Sequence, residues 1–239
     1  MFKKFSDFNN YKIVLLVFAL FIFLISSNNN ILNNIFRRPI VKKEKLLIIS
    51  SILFYILVDM IIYPLVKLKL NKISKNNNIN NMKLHDILHN IKIKKNMNIL
   101  NKLNEYVPLI LMSFYFLLCI YHQQINLISY FLISVSIISL IKFLLNISTI
   151  LPDSSRKCTL KLLNGSCNDL LCSGHYSKVL LIYLLINKFN LLNISHQNII
   201  FLIVVSYGFV PIITKNHYTI DILVAIIVTL LVTKYIPNK

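Results

Sequence analysis

Three polar side chains in the C-terminal third of this sequence have the types and spacing of an acid–base site. His217 and Asp221 stand four residues apart at the start of an apolar run, and side chains at that spacing lie on one face of a helix. A carboxylate that orients an imidazole is the arrangement used by nucleophilic and general-base histidines. The alternative is that Asp221 only caps a helix at the membrane edge. The third residue, His175, bears on this choice.

His175 follows Ser173 and Gly174, and Gly174 is one of three glycines in the chain. The apolar segment after His175 crosses the membrane and the segment from Asn198 crosses back, so His175 and His217 lie on the same side, each at a helix N-terminus. The positive ends of two helix dipoles favour a phosphate group between them. One histidine can attack phosphorus while the other protonates the departing oxygen. Glycine allows close backbone approach here, although an ordinary turn is the alternative.

The composition identifies the class of protein that must position these side chains. The chain has 239 residues, of which 56% are hydrophobic and 14% charged, and its mean hydropathy is +0.67. Long, almost uncharged blocks approach the roughly 20 residues that cross a bilayer. The sequence therefore predicts an all-α polytopic membrane protein. We exclude nucleic-acid binding despite the net charge of +18, because the lysines flank apolar spans and the Asn-, Lys- and Ile-rich composition is typical of an AT-rich genome.

Seven apolar segments are predicted to span the membrane. The first follows a basic N-terminus and is interpreted as an uncleaved signal anchor or extra span, because no small-x-small cleavage pattern follows it. We divide the chain into an N-terminal span with a basic link, residues 1–45, and a six-span catalytic domain, residues 46–239. The predicted spans are residues 11–27, 46–66, 105–121, 127–146, 176–188, 198–213 and 219–236.

Several other polar residues have open interpretations. Asp59 lies within a span and has either a functional role or a position at the interface. His85 and His89 are four apart and could bind a metal, but a short interfacial helix is the favoured interpretation because no Cys or Glu is near. Lys142, near the end of its span, is expected to extend its amine toward the interface. His122 is expected to be solvated.

Two motifs resemble a known family. Residues 167–176 read C-N-D-L-L-C-S-G-H-Y and resemble the C-G-D-x-x-x-S-G-H-T signature of the sphingomyelin synthase family. Residues 217–222 read H-Y-T-I-D-I and resemble that family's H-Y-[ST]-x-D-V signature. The resemblance covers roughly residue 127 to the C-terminus in matching order and spacing. Asn168 and Tyr176 depart from the first signature, which leaves the choice of headgroup or acceptor open.

The resemblance implies a six-helix core related to the lipid phosphate phosphatases. It also implies an enzyme that moves a phospho-headgroup from a glycerophospholipid to ceramide and releases diacylglycerol. His217 would form a phosphohistidine, Asp221 would orient it, and His175 would protonate diacylglycerol and then deprotonate ceramide. No metal and no other cofactor would be required, and the partners would be the membrane phospholipid donor and the ceramide acceptor.

The resemblance further implies a site on the lumenal or exoplasmic face of the Golgi, endoplasmic reticulum or plasma membrane. Alternation of spans then puts the basic loop 67–104 on that face as well, against the positive-inside rule; we give the site chemistry more weight. In an oxidising lumen Cys158 and Cys167 either form a disulfide or remain unlinked. The expected substrate contacts are Asp169, Ser173, Gly174, Tyr176 and Tyr218.

Two other functions stay open from the sequence. A lipid phosphatase or phospholipase C-like hydrolase would use water instead of ceramide as the acceptor. A lipid carrier or membrane scaffold would have no catalytic activity, although a carrier of charged solutes usually has more intramembrane acids than this chain. The headgroup, whether choline, ethanolamine or inositol phosphate, is not determined by the sequence.

Overall fold

The apolar blocks of the sequence fold into helices that satisfy their own backbone hydrogen bonds, as a lipid environment requires. The structure, a computed structural model, describes residues 41–65, 86, 97–149 and 171–237. Within those residues it is all-helical, which confirms the predicted class. Its elements are α1 (Lys42–Tyr55), continued by a π-helical segment π1 (Ile56–Ile62), then α2 (Met97–Tyr121), α3 (Asn126–Ser148), α4 (Gly174–Lys188), α5 (Ile194–Ile213) and α6 (Thr219–Lys234).

Four of these helices are long and apolar enough to cross a membrane, namely Lys42–Leu65, Lys102–Tyr121, Asn126–Ser148 and Ile194–Ile213. The protein is therefore an integral membrane protein. Helices α4 and α6 have 15 and 16 residues, or about 22–24 Å at ~1.5 Å per residue. That length is short of the ~30 Å hydrocarbon layer; for α4 the sequence already predicts a short span, residues 176–188. The predicted first span, 11–27, lies outside the described residues.

Helix α4 occupies the centre of the bundle and contacts α2, α3, α5 and α6. A helix that is apolar on every face is buried on every face, and α4 has this pattern over residues 179–186. Several of its side chains have no exposed surface: Val179, Leu181, Ile182, Leu185 and Ile186. Because α4 is fixed on all sides, the position of its N-terminus, which carries His175, is also fixed.

The helix ends define a site end and an opposite end of the bundle. At the opposite end, the Asn126 amide at the start of α3 lies 3.4 Å from Glu44 near the start of α1. At the site end, Asp86 accepts hydrogen bonds from Thr219 at the start of α6, which places this part of the basic loop 67–104 beside His217. The alternation of spans predicted this shared side.

Helices α4 and α5 meet at a glycine. The Tyr176 ring stacks on Tyr207, with centroids 6.4 Å apart and an interplanar angle of 12°. A Cβ added at Gly208 would lie 2.9 Å from Tyr176 Cε2, closer than van der Waals contact allows. The absence of a side chain at this position therefore lets the buried ring lie against α5.

We expect Gly208→Ala to destabilise the protein by about 1–3 kcal/mol through overpacking, outweighing the gain in helix propensity. Thermal unfolding in detergent should show a lower Tm. Ser206→Ala, at an exposed position of the same helix, should not lower it. In a Tyr176→Leu background the Gly208→Ala change should cost little, and an equal loss in both backgrounds would contradict the contact.

Candidate functional site

Asp221 connects the two segments that carry the histidines. It lies in the first turn of α6 and is 0% exposed. Its Oδ2 accepts the Tyr218 backbone N–H at 2.9 Å and lies 3.1 Å from His217 Nδ1. Its Oδ1 accepts the Leu171 N–H at 3.0 Å, and its backbone carbonyl accepts the Ser173 N–H at 3.2 Å. The contact predicted from the four-residue spacing is thus present, and the same carboxylate also holds the segment before α4.

His217 is positioned by the end of the preceding helix. The Pro211 carbonyl in the last turn of α5 accepts the backbone N–H groups of Asn216 and His217 at 2.9 and 3.0 Å. Lys215 has a φ of 58°, which reverses the chain before α6. The His217 side chain keeps 12% of its surface exposed. Because the Asp221 carboxylate is an acceptor, Nδ1 donates its N–H to it, and Nε2 is then the ring nitrogen that carries a lone pair.

His175 lies in the first turn of α4 and is exposed. Ser173 caps this helix: its Oγ accepts the Tyr176 N–H at 3.4 Å and its carbonyl accepts the Ser177 N–H at 2.9 Å. Before the cap, Leu171 has a φ of 104°, a strained conformation for a branched side chain. The hydrogen bond from the Leu171 N–H to Asp221 stabilises this conformation. It also places the start of α4 beside α6.

Lys142 approaches the same helix start from α3. The sequence predicted that its amine reaches the interface, but the residue is only 6% exposed. Its Nζ lies 3.6 Å from where a Cβ on Gly174 would be. A buried ammonium group therefore lies at the positive end of the α4 dipole, one residue from His175. A lysine within a membrane span often has a functional role. The sequence did not predict such a role for Lys142, because Gly174, beside which it lies, is distant in sequence.

Three of the expected substrate contacts have structural roles as well. Tyr176 is 5% exposed and packs between α4 and α5, Tyr218 is 3% exposed at the cap of α6, and Ser173 is 0% exposed. Their side chains take part in helix packing and capping at the two helix starts. Contact of these residues with a substrate stays a prediction. Gly174 stays at the site, and the other expected residues, Asp169, Cys158 and Cys167, lie outside the described residues.

Asp86 is a site neighbour that the sequence did not reveal. Its Oδ2 accepts the Thr219 N–H at 2.6 Å and its Oδ1 accepts the Thr219 hydroxyl at 2.9 Å. The carboxylate thereby satisfies donors at the N-terminus of α6, where negative charge is favourable. The sequence predicts a short interfacial helix here, with His85 and His89 on either side of Asp86; both histidines lie outside the described residues.

Removal of this cap should loosen the helix that follows His217. We expect Asp86→Ala to destabilise the protein by about 1 kcal/mol, the usual cost of losing a helix cap, and to lower its Tm. Thr219→Ser, which keeps both donors, should leave the Tm unchanged. Equal Tm values for Asp86→Ala and the natural chain would show that the cap contributes no stability.

Comparison with known proteins gives a family match over the C-terminal region. No curated protein and no solved structure matches the chain significantly. Residues 166–238 match the family described as PAP2 superfamily C-terminal, a range that contains His175, His217 and Asp221. The match supports a membrane enzyme that acts on phosphate esters in lipid metabolism. The matched range covers 73 of the 239 residues and supports a relation to the lipid phosphate phosphatase superfamily.

Proposed function

We propose that this protein transfers a phospho-headgroup, phosphocholine or a related group, from a glycerophospholipid to ceramide. The observation that carries the proposal is the Asp221 carboxylate, which contacts His217 and also fixes the start of the helix that bears His175. Two histidines held at adjacent helix N-termini suit a covalent phosphoryl transfer in which one attacks and the other moves protons. The match to the PAP2 superfamily supports the same chemistry.

In the first step, Nε2 of His217 attacks the phosphorus of the phospholipid. A P–N bond forms and the bond between phosphorus and the glycerol oxygen breaks. His175, as an imidazolium, gives its proton to that oxygen, so the leaving group departs as neutral diacylglycerol. Asp221 stabilises the positive charge that develops on the His217 ring, because its carboxylate accepts the Nδ1–H at 3.1 Å.

In the second step, the neutral His175 takes the proton of the primary hydroxyl of ceramide. The ceramide oxygen attacks phosphorus, a P–O bond forms, and the P–Nε2 bond to His217 breaks. The product is a phosphosphingolipid, and His175 is again protonated. Both steps use one histidine in two roles, so no external acid or base is consumed.

The phosphoryl oxygens need positive partners while these bonds change. We assign this role to the ammonium group of Lys142, next to Gly174, together with the N-terminal amides of α4. A buried cation acts strongly there because little water screens it. A Cβ at position 174 would lie 3.6 Å from this Nζ, in ordinary van der Waals contact, so the ammonium group lies directly beside the start of α4.

We place the site on the lumenal or exoplasmic side of the Golgi, endoplasmic reticulum or plasma membrane. In this placement loop 67–104 faces the lumen together with His217, as the contact between Asp86 and Thr219 requires. An epitope inserted next to Asp86 should then be shielded from antibody until the lumenal side is opened. Labelling from the cytosolic side would reverse the assignment.

The test of the activity uses membranes from cells that express the chain. Labelled ceramide is added with phosphatidylcholine, phosphatidylethanolamine or phosphatidylinositol, and the products are resolved by mass spectrometry. We expect a labelled phosphosphingolipid and an equal amount of diacylglycerol, and the favoured donor identifies the headgroup. Release of free phosphocholine or inorganic phosphate without ceramide would show that water is the acceptor. No product from any donor would favour a carrier or scaffold.

A further inference from the structure

Carboxylates of the protein itself occupy the start of α6. Asp86 accepts two hydrogen bonds from Thr219, the first residue of that helix: Oδ2 accepts the backbone N–H at 2.6 Å and Oδ1 accepts the hydroxyl at 2.9 Å. The preceding N–H, that of Tyr218, is accepted by Asp221 Oδ2 at 2.9 Å. The first N–H groups of a helix are those that otherwise bind an external anion. Two consecutive N–H groups at this end of α6 are thus already bonded to negative charge.

The start of α4 has the opposite character. Its cap is the neutral hydroxyl of Ser173, which accepts the Tyr176 N–H at 3.4 Å. The Lys142 ammonium group lies beside Gly174, the first residue of the helix, since a Cβ there would be 3.6 Å from Nζ. The sequence predicted a phosphate between two positive helix ends. In the structure one helix start of the site carries carboxylates and the other has a cation beside it.

This difference bears on where a phosphate oxygen can bind. A helix N-terminus attracts an anion through its N–H groups and its dipole, and Asp86 already supplies such an anion to α6. A second anion at this position would have to displace the carboxylate or lie against it, and like charges in close contact repel each other. The oxygens of a phosphate group are therefore directed to the start of α4, and α6 contributes the ring of His217.

Asp86 also fixes the turn that carries His217. Thr219 lies two residues after His217 and two before Asp221, so the contact holds the middle of the segment whose ends make the 3.1 Å contact between ring and carboxylate. Asp86 is 133 positions away from Thr219, so this contact ties the turn to a distant part of the chain. Misplacement of a reacting group by ~1 Å can cost about 10²-fold in rate.

We propose that Asp86 is a positioning residue that closes the start of α6 to phosphate, so that the phosphate oxygens bind at the start of α4 and the phosphorus faces His217. The identity of this phosphate as that of a lipid headgroup rests on the proposed function. Asp86 does not touch the reacting atoms and acts through Thr219 and through its charge. Closure of α6 weakens the binding of anions to the site and leaves them a single orientation.

The test measures two quantities that should change in opposite directions. The full chain in lipid nanodiscs is titrated with inorganic phosphate by calorimetry, and headgroup transfer to ceramide is measured on the same preparation. Asp86→Ala exposes the Thr219 N–H and removes a negative charge, so phosphate should bind about two- to fivefold more tightly. Transfer at saturating donor should fall by about tenfold, with no rise in the KM of the donor. A residue that only stabilises the fold would not increase phosphate affinity.

Asp86→Asn separates the charge from the cap. The Asn oxygen can still accept the Thr219 N–H, and Asn and Asp are about equally good caps of a helix start. This variant should keep the natural Tm, and its phosphate affinity should lie between those of the natural chain and Asp86→Ala. If Asp86→Ala does not fold, the comparison of Asp86→Asn with the natural chain decides the question.

Glu44→Ala is the matched control. Glu44 also caps a helix start, because its Oε2 accepts the Val41 N–H at 3.3 Å, and its contact with Asn126 places it at the opposite end of the bundle. The variant should lose about as much stability as Asp86→Ala. Its phosphate affinity and its transfer rate should equal those of the natural chain, because no reacting group is near.

Unchanged or weaker phosphate binding in Asp86→Ala overturns the inference, because an opened helix start must bind the anion better. A natural transfer rate in that variant overturns the positioning role. If the natural chain makes no lipid product and Asp86→Ala still gains phosphate affinity, the proposed function fails and the closure of α6 stands. If lipid product forms and the variant gains no affinity, only the closure fails.

Discussion

Replacement of His217 by alanine is expected to abolish headgroup transfer, with a loss of about 10³-fold or more, the scale seen when a covalent nucleophile is removed. The reason is structural as well as chemical. Asp221 accepts the Nδ1–H of the ring, which leaves the lone pair on Nε2. The fold should survive, because the Asp221 hydrogen bonds to Tyr218 and Leu171 do not involve the imidazole.

The measurement is transfer of headgroup-labelled donor to ceramide, with a second measurement on the chain itself. After brief incubation with labelled donor and no acceptor, the natural chain should carry an acid-labile, base-stable label and the His217→Ala chain none. His196→Ala is the matched control, because His196 is exposed at the start of α5, at the opposite end of the bundle. Full transfer by His217→Ala would refute the covalent mechanism.

Local spacing predicted the His217–Asp221 contact because it depends on one helical turn. The alternation of spans likewise predicted that His175 and His217 share a side, since this requires only a count of crossings. The first inference uses the spacing of residues within one short segment. The second uses only whether the number of membrane crossings between the two histidines is even or odd. Neither depends on how the helices are rotated about their axes.

The sequence could not predict how each helix is rotated about its axis or how deep it lies in the membrane. Lys142 is 32 positions before Gly174, and Asp59 is 80 before Ser139; those contacts exist only because α3, α4 and π1 face each other at one depth. The π-helical segment that contains Asp59 has no signature in a run of Ile, Leu and Val. The strongly biased composition also gave no reason to single out Asp86, one acid in a stretch rich in Lys and Asn.

The two sequence motifs do not predict which of their side chains are exposed. Tyr176 and Tyr218 lie beside the histidines in sequence and are predicted substrate contacts, and the structure shows that both are largely buried. In the first turn of a helix, however, adjacent side chains point about 100° apart, so the neighbour of an exposed histidine is turned toward the core. Tyr176 accordingly packs on Gly208, whereas His175 is exposed.

His175→Ala is expected to lower transfer from a natural phospholipid by about 10²- to 10⁴-fold, the usual contribution of general acid–base catalysis. The loss should depend on the leaving group. Diacylglycerol must leave as an alcohol and needs a proton, whereas the nitrophenolate of p-nitrophenyl phosphocholine departs without one. The variant should therefore release one equivalent of nitrophenolate in a burst and hold the phosphocholine on His217.

That burst distinguishes a proton donor from a group that only maintains the helix start. Turnover after the burst should stay slow even with ceramide present, because the acceptor hydroxyl also loses its base. His122→Ala, in the link between α2 and α3 at the opposite end of the bundle, should release nitrophenolate and transfer the group to ceramide at the natural rate. If His175→Ala loses the burst together with natural transfer, the histidine acts in binding or folding rather than in proton transfer, because the activated donor bypasses only the proton.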